Sequence, residues 1–287
     1  MLTSPWIEAM RLRTLPVSVA GVFTAVGYAV YYGCFRWAPA VLCLAFAILC
    51  QIASNFANEY YDFRAGRDRV GREGPRRGVT EGDITPQAMK RAIYGTLAAA
   101  GVIGLSLTHW GGLWLILVGI AIFLGALAYS TGPWPLSTHC LGEVAVIFFF
   151  GLVPVNFTFY LMSGSWTTDV VLGSLAIGLM GANVLIVNNY RDVDDDRAVG
   201  KHTLATEAPR LMPALYALNA IIAAVLVNTL WRGMGVWFAV IPVYLILSFI
   251  IAWRLYKTSG HALTKFLGMT AVLMLVYSLL FILAAVI

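Results

Sequence analysis

Residues 170–197 read VVLGSLAIGLMGANVLIVNNYRDVDDDR, an apolar run that ends abruptly in asparagines, arginines and a string of aspartates. About 20 mostly apolar residues are needed to cross the hydrocarbon core of a bilayer. In lipid only helices or closed barrels satisfy the backbone, and barrel strands are about ten residues long and alternate in polarity. A continuous run of this length is therefore a transmembrane helix, and its charged end marks a membrane surface.

The rest of the chain repeats this grammar. Apolar runs fall at 15–35, 37–58, 92–109, 111–131, 144–163, 170–190, 211–231, 235–253 and 266–287. The expected fold is an all-α polytopic membrane protein, with nine transmembrane helices in a single domain over residues 1–287. Composition agrees. Hydrophobic residues make up 60% of the 287 and charged residues 11%, against about 25% charged in a soluble domain. The first run, at 15–35, lacks a small-residue cleavage site and reads as a retained helix. Cys34, Cys43, Cys50 and Cys140 lie in or beside apolar runs with no C-x-x-C spacing, which suits reduced packing residues.

Lysine and arginine orient the helices. If nine spans alternate, the N-terminus and the loops at 59–91, 132–143, 191–210 and 254–265 share one side. That side then holds seventeen of the nineteen basic residues, leaving Arg36 and Arg232 opposite. The N-terminus is thus expected in the cytoplasm and the C-terminus outside. The net charge of +5 reflects this sorting and calls for no nucleic-acid partner. Thirteen of the fourteen acids collect on the same face, with Asp169 the exception. Acids contribute little to topology, so their gathering points to chemistry in the loops 59–91 and 191–210.

Two clusters carry that chemistry. One ends the second helix with Asn58-x-Tyr60-x-Asp62 and runs on to Asp68; the other ends the sixth with Asn188-x-Tyr190-x-Asp192. They are 130 residues, or four helices, apart, which suggests a weak internal four-helix repeat and puts both on one side. On a helix, residues three and four apart share a face. Gln51, Asn55, Asn58 and Asp62 form one polar stripe, and Asn188, Asp192 and Asp196 another. Polar groups in a membrane face the bundle interior, so the stripes are expected to meet in one carboxylate-rich cavity. Asp194 and Asp195 read as solvated loop residues.

Carboxylates and amide oxygens are ligands for hard cations, and Mg²⁺ is usually held by one or two carboxylates plus substrate phosphates. The candidate metal set in these two clusters is Asn58, Asp62, Asp68, Asp192 and Asp196. Arg76, Arg77, Arg191 and Lys201 stand beside these clusters and suit phosphate oxygens.

These stripes resemble the motifs of the UbiA superfamily of intramembrane prenyltransferases, over most of the chain. Trp6-x-x-Ala9-x-Arg11-x-x-Thr14-Leu15-Pro16, Gln51-x-x-x-Asn55-x-x-Asn58, Gly74-Pro75-x-Arg77-Gly78, Tyr129-Ser130-Thr131-Gly132-Pro133 with Gly142-Glu143, and Asn188-Asn189-x-Arg191-Asp192-x-x-x-Asp196-x-x-x-Gly200-Lys201-x-Thr203-Leu204 resemble its naphthoate branch. A Tyr-Pro-x-x-Lys-Arg segment associated with the hydroxybenzoate branch is absent. The resemblance implies a UbiA-like bundle in the bacterial inner membrane. It implies a polyprenyl diphosphate held through Mg²⁺, an allylic cation formed as diphosphate leaves, and attack by 1,4-dihydroxy-2-naphthoate with loss of CO₂, giving demethylmenaquinol. Tyr61 and Glu143 are candidates to deprotonate or orient the ring.

Rival readings are a 4-hydroxybenzoate or other aromatic prenyltransferase, and a secondary transporter. Transporters bind near the bilayer midplane, whereas these acids sit at one face. A CDP-alcohol phosphotransferase would carry a D-G-x-x-A-R element, which the sequence lacks.

Overall fold

The computed structural model describes residues 4–71, 76–230 and 237–286. Gly74, Pro75 and Arg232, which the sequence reading used, lie outside the described residues. A short helix α1 (Pro5–Met10) and a 3₁₀ turn (Leu12–Thr14) lead into α2 (Leu15–Tyr31), followed by α3 (Trp37–Arg64), α4 (Pro86–Gly111) and α5 (Leu115–Ala128). Next come α6 (Gly142–Val146), a π-helical turn (Ile147–Leu152), α7 (Val153–Ser163), α8 (Thr168–Arg191), α9 (Val193–Ala198) and α10 (Leu204–Glu207). The chain closes with α11 (Met212–Leu230), α12 (Trp237–Lys257) and α13 (Thr264–Val286).

Eight of the helical segments among the described residues are long and apolar enough to cross a membrane. The fourth expected run, 111–131, holds the shorter apolar helix α5, of 14 residues. That is about 21 Å of helix at 1.5 Å per residue, short of a hydrocarbon core of about 30 Å. Turns extend it at both ends: Leu115 N–H donates to Gly112 O, and Thr131 N–H to Leu127 O. The shortening follows from Gly112, whose φ of 88° ends α4 before α5 begins.

The helix carrying each motif lies along a partner that follows it in the chain, α3 on α4 and α8 on α11. The last helix, α13, closes the bundle against α2 and α8. Interhelical polar contacts are few and specific, as expected where lipid competes equally for apolar surface. Thr24 donates to Ser278 (3.2 Å), and Tyr28 meets Phe281 edge to face at 4.9 Å. Asn183 donates to the Tyr216 carbonyl and accepts from Asn219, both at 3.0 Å, tying α8 to α11.

Helix α8 runs at the centre. At 24 residues it spans about 36 Å. Asp169 sits at one end, where its carboxylate accepts from Tyr32 Oη at 2.7 Å, and Asp192 caps the other. The lone acid of the opposite face is thereby separated from the acidic clusters by the length of the helix. The π turn crosses α8 at glycine. A Cβ on Gly151 would lie 2.4 Å from Ser174 O and 2.5 Å from Gly178 Cα. Pro154 follows within the next turn. Proline cannot donate to the carbonyl four residues back and its ring crowds it, so the wider π spacing relieves the helix there.

The Gly151 crossing gives a test of the packing. The atoms a new Cβ would meet are backbone, which no rotamer change can move. Gly151→Ala should lose about 1–3 kcal/mol of stability, seen as a lower Tm in detergent micelles. An unchanged Tm would show that the crossing is looser than this geometry requires.

Candidate active site

The two polar stripes meet. Gln51, Asn55, Asn58 and Asp62 are all buried in the interior of the bundle. Gln51 Nε2 donates to Asn55 Oδ1 (3.3 Å) and Asn58 Nδ2 to Asp62 Oδ2 (3.3 Å). The second stripe survives a helix break. Asp192 N–H donates to Asn188 O and Asp196 N–H to Asp192 O, so the four-residue spacing carries from α8 through its cap into α9. Asn188, Asp192 and Asp196 line one cavity with Gln51, Asn55 and Asn58, of about 480 Å³.

Lys201 joins the stripes. Its ammonium lies 3.0 Å from Asp62 Oδ2 and 3.6 Å from Asp196 Oδ1. Asp62 is wholly buried, at 0% exposure, and its other oxygen accepts no hydrogen bond, with Arg67 at 3.7 Å. Arg77 spans two acids' neighbours: Nη2 donates to Asn58 Oδ1 (3.2 Å), and Nε lies 3.4 Å from Asp68 Oδ2. That second contact is an ion pair, because neither atom meets hydrogen-bond geometry. Arg191 grips Asp192 in a fork at 2.7 and 2.8 Å and donates to Asn188 Oδ1 at 3.1 Å. Arg76 pairs with Asp83 at 2.7 Å and also lines the cavity.

Of the residues expected at the site, Gln51, Asn55, Asn58, Asn188, Asp192, Asp196, Arg76, Arg77, Arg191 and Lys201 line this cavity. Asp62 and Asp68 lie behind the lining, reached through Lys201 and Arg77. Glu143 also lies behind it and accepts from Asn189 Nδ2 at 3.2 Å; Asn189 itself is lining. Tyr61 does not line the cavity. Its ring meets Tyr60 at 5.0 Å, and Tyr94 hydrogen-bonds its hydroxyl. It precedes Asp62 by one residue, about 100° around the helix, and so stands to the side of the Gln51–Asn55–Asn58–Asp62 stripe.

Asp195 corrects the sequence reading. It is buried at 9% exposure and paired with Arg69 of the first loop, whereas Asp194 is exposed and pairs with Arg197. His202 pairs with Glu207 at 2.7 Å on the surface. Burial, then the charges of Glu207 and Glu143, push the Cys140 thiol above its ordinary range.

Several site residues were not assigned from sequence. Arg11 Nη2 donates to Asn58 Oδ1 at 2.5 Å, and Ser130 Oγ accepts from Asn58 Nδ2 at 3.3 Å. Arg11 and Tyr129 line the cavity. Both stand in motifs quoted for the resemblance, but only folding brings them beside α3. Glu59, 1% exposed, accepts from Val79 N–H at 3.0 Å and clasps the loop that carries Arg77.

A second cavity of about 320 Å³ adjoins the first and is apolar. Gln51, Ser54, Tyr129, Val146 and Phe150 line both. Phe46, Phe123, Phe149 and Phe157 line its walls, and exposed Leu105, Ile116 and Ile120 of α4 and α5 carry it to the lipid-facing surface.

Among the described residues no three His, Cys, Asp or Glu side chains converge tightly enough to hold a metal ion in this arrangement. The donor chemistry nonetheless suits a hard cation. Every candidate donor is an oxygen, and the place between Asp62 and Asp196 already holds a cationic group, the Lys201 ammonium.

The comparisons show the family and the fold. A family model described as the UbiA prenyltransferase family matches residues 20–279. The chain is 36% identical over 208 residues to a 1,4-dihydroxy-2-naphthoate octaprenyltransferase of Haemophilus influenzae, covering 70% of this chain and 68% of that one. It is 34% identical over 238 residues to the protein of that name in Mycobacterium leprae, covering 80% of each. A solved UbiA homologue from Archaeoglobus fulgidus bound to GPP and Mg²⁺ superposes with a TM-score of 0.67 at 14% identity, over 97% of this chain and 99% of that one.

Lys201 yields a stability prediction. Truncating one member of a buried ion pair strands the other charge, at about 3–5 kcal/mol. Lys201→Met should therefore destabilise the protein strongly, and adding Asp62→Asn should recover much of the loss. Equal Tm values for the single and double variants would remove the pair from the interior.

Proposed function

Because the chain belongs to the UbiA prenyltransferase family, we propose that it transfers a polyprenyl group from an isoprenyl diphosphate to 1,4-dihydroxy-2-naphthoate. Diphosphate and CO₂ leave, and demethylmenaquinol forms, the reaction of menaquinone synthesis. The enzyme class follows from the family and from relatives bearing the name 1,4-dihydroxy-2-naphthoate octaprenyltransferase. One observation carries the substrate reading: a charged cavity and an apolar cavity share a boundary. A polyprenyl diphosphate has these two halves, joined at the carbon that reacts.

In this reading the diphosphate lies in the charged cavity and the tail in the apolar one, with the reacting carbon near Gln51, Ser54, Tyr129, Val146 and Phe150. Asn58, Asp62, Asp68, Asp192 and Asp196 would hold Mg²⁺, which neutralises charge building on the leaving oxygens. Arg76, Arg77, Arg191 and Lys201 add donors aimed at the same charge. As the C–O bond breaks, the electron pair leaves with diphosphate and an allylic cation remains. The phenylalanine rings of the apolar cavity offer it their faces and exclude water that would quench it. The acceptor ring attacks the cation; its carboxylate departs as CO₂, and the pair from the C–C bond restores aromaticity. Of the two ring-side candidates, Glu143 fits better, since it reaches the lining through Asn189.

The single domain of residues 1–287 then works in a bacterial cytoplasmic membrane, with the N-terminus and both acidic loops in the cytoplasm and the C-terminus outside. The distribution of basic residues supports that orientation.

The test is mass analysis of products from purified protein given Mg²⁺, a polyprenyl diphosphate, and competing naphthoate and 4-hydroxybenzoate acceptors. The expected product is the decarboxylated prenyl naphthoquinol, lost on chelation by EDTA. Prenyl benzoate alone would overturn the acceptor assignment. Asp62→Asn and Asp192→Asn, which keep an oxygen toward Lys201 and Arg191, should each lower turnover per folded protein in micelles at least about 100-fold. Near-normal rates in both would remove the acidic motifs from the chemistry.

A further inference from the structure

The atoms that would bind a metal are already engaged by the chain's own cations. Asn58 has one ligating atom, Oδ1, and a carbonyl oxygen offers two lone pairs. Arg11 Nη2 and Arg77 Nη2 both donate to it, at 2.5 and 3.2 Å. Asp62 Oδ2 takes Lys201, its Oδ1 faces Arg67, and Lys201 reaches Asp196 as well. Arg77 also faces Asp68. The basic residues thus come from three separate segments: the turn after α1, the α3–α4 loop and the loop after α9.

Burial makes this arrangement consequential. Arg77 is 5% exposed, and the Lys201 side chain 10%. A buried charge without a partner is strongly unfavourable. A divalent cation arriving alone would draw Asp62 and Asp196 away from Lys201. A diphosphate arriving alone would draw Lys201 and Arg77 away from these acids and Asp68. Arriving together, the metal pairs with the acids and the diphosphate with the bases, so each set exchanges one partner for another.

We propose that metal and diphosphate load this site as a pair, and that Arg11 acts as a placeholder, moving from Asn58 to the diphosphate as they do. The proposal rests on the diphosphate-and-metal reading above and adds to it a residue and a mode of loading. Arg11 is suited to the part by position. It lines the charged cavity and stands at the junction between α1 and the 3₁₀ turn. Its backbone lies in the left-handed region, φ 52° and ψ 58°, a conformation a non-glycine residue holds only under strain. Its guanidinium is tied to the oxygen that metal binding would claim.

The test measures binding and needs no turnover. Mn²⁺ stands in for Mg²⁺ and is followed by electron paramagnetic resonance on full-length protein in micelles, with and without inorganic diphosphate. Free Mn²⁺ is corrected for the complex it forms with diphosphate in solution. Wild type should bind Mn²⁺ at least tenfold more tightly with diphosphate present. Arg11→Asn removes the guanidinium and keeps a residue that tolerates the left-handed region. It should bind Mn²⁺ alone about five-fold more tightly than wild type, and its enhancement by diphosphate should shrink by a similar factor. Arg13→Gln is the control. Arg13 lines the same cavity and carries the same charge, so its loss reports general electrostatics; its Mn²⁺-alone affinity should stay within two-fold of wild type. If Arg11→Asn and Arg13→Gln behave alike, or if Arg11→Asn leaves Mn²⁺-alone affinity unchanged, the placeholder is refuted while the site reading stands. If wild type binds no Mn²⁺ even with diphosphate, the site reading fails and the placeholder with it.

Discussion

A lysine ammonium held between Asp62 and Asp196 is the contact on which the arrangement of this protein turns. Asp62 ends a membrane-crossing helix and has no exposure to water. A buried carboxylate is costly unless a cation reaches it. The cation comes from 139 residues further along the chain. For it to arrive, the ends of α3 and α8 must lie side by side and the segment after α9 must fold back. Gly200 makes that reversal with a φ of 69°, in the region where a side chain would strain the turn. The Lys201 N–H then donates to Asp196 O at 2.9 Å, which fixes the backbone from which the ammonium projects.

Close helix packing makes the convergence feasible. The π turn approaches α8 through Gly151 and Gly178, where the atoms nearest a new Cβ are backbone. Helix α8 in turn is gripped by α11 through Asn183. Small residues where helices cross, and a few satisfied polar side chains, give the bundle a fixed relative placement that apolar burial in lipid cannot supply. The loops above follow suit. Glu59 holds the Val79 N–H, and Arg69 pairs with buried Asp195, so the two acidic loops are tied to the helix ends and to each other.

Much of this was legible in the sequence because helical geometry is periodic. The spacing of Gln51, Asn55, Asn58 and Asp62 placed four polar groups on one face, and that face is buried. The spacing of Asn188, Asp192 and Asp196 did the same, although the chain changes helix at Asp192. Where reading failed, the missing information was tertiary. Arg11 lies 47 positions from Asn58 and Ser130 lies 72 from it, and no local pattern announces either contact. Asp195 looked solvated because its neighbour Asp194 is; only the position of Arg69 decides between them. Tyr61 shares a motif with Asp62, but a step of one residue turns it toward Tyr94.

Both stripes also run in the same chemical order. Along α3 the neutral amides Gln51, Asn55 and Asn58 precede the carboxylate of Asp62; along the second stripe, from α8 into α9, the amide of Asn188 precedes Asp192 and Asp196. The amide end of the first stripe lies at the boundary between the charged and apolar cavities, where Gln51 lines both. Eleven residues separate Gln51 from Asp62, about 16 Å of helix. In the proposed reaction, an allylic cation formed at that boundary would meet amides, a hydroxyl from Ser54 or Tyr129, and aromatic faces, with Asp62, Asp192 and Asp196 further along the stripes. A stripe carboxylate at the boundary would capture the cation as an ester, ending the reaction at the wrong nucleophile. On that reading, acids at the far end would hold the metal without competing with the acceptor ring. The order of residue types along the stripes then suits what the reacting carbon must not touch, as much as what the diphosphate must.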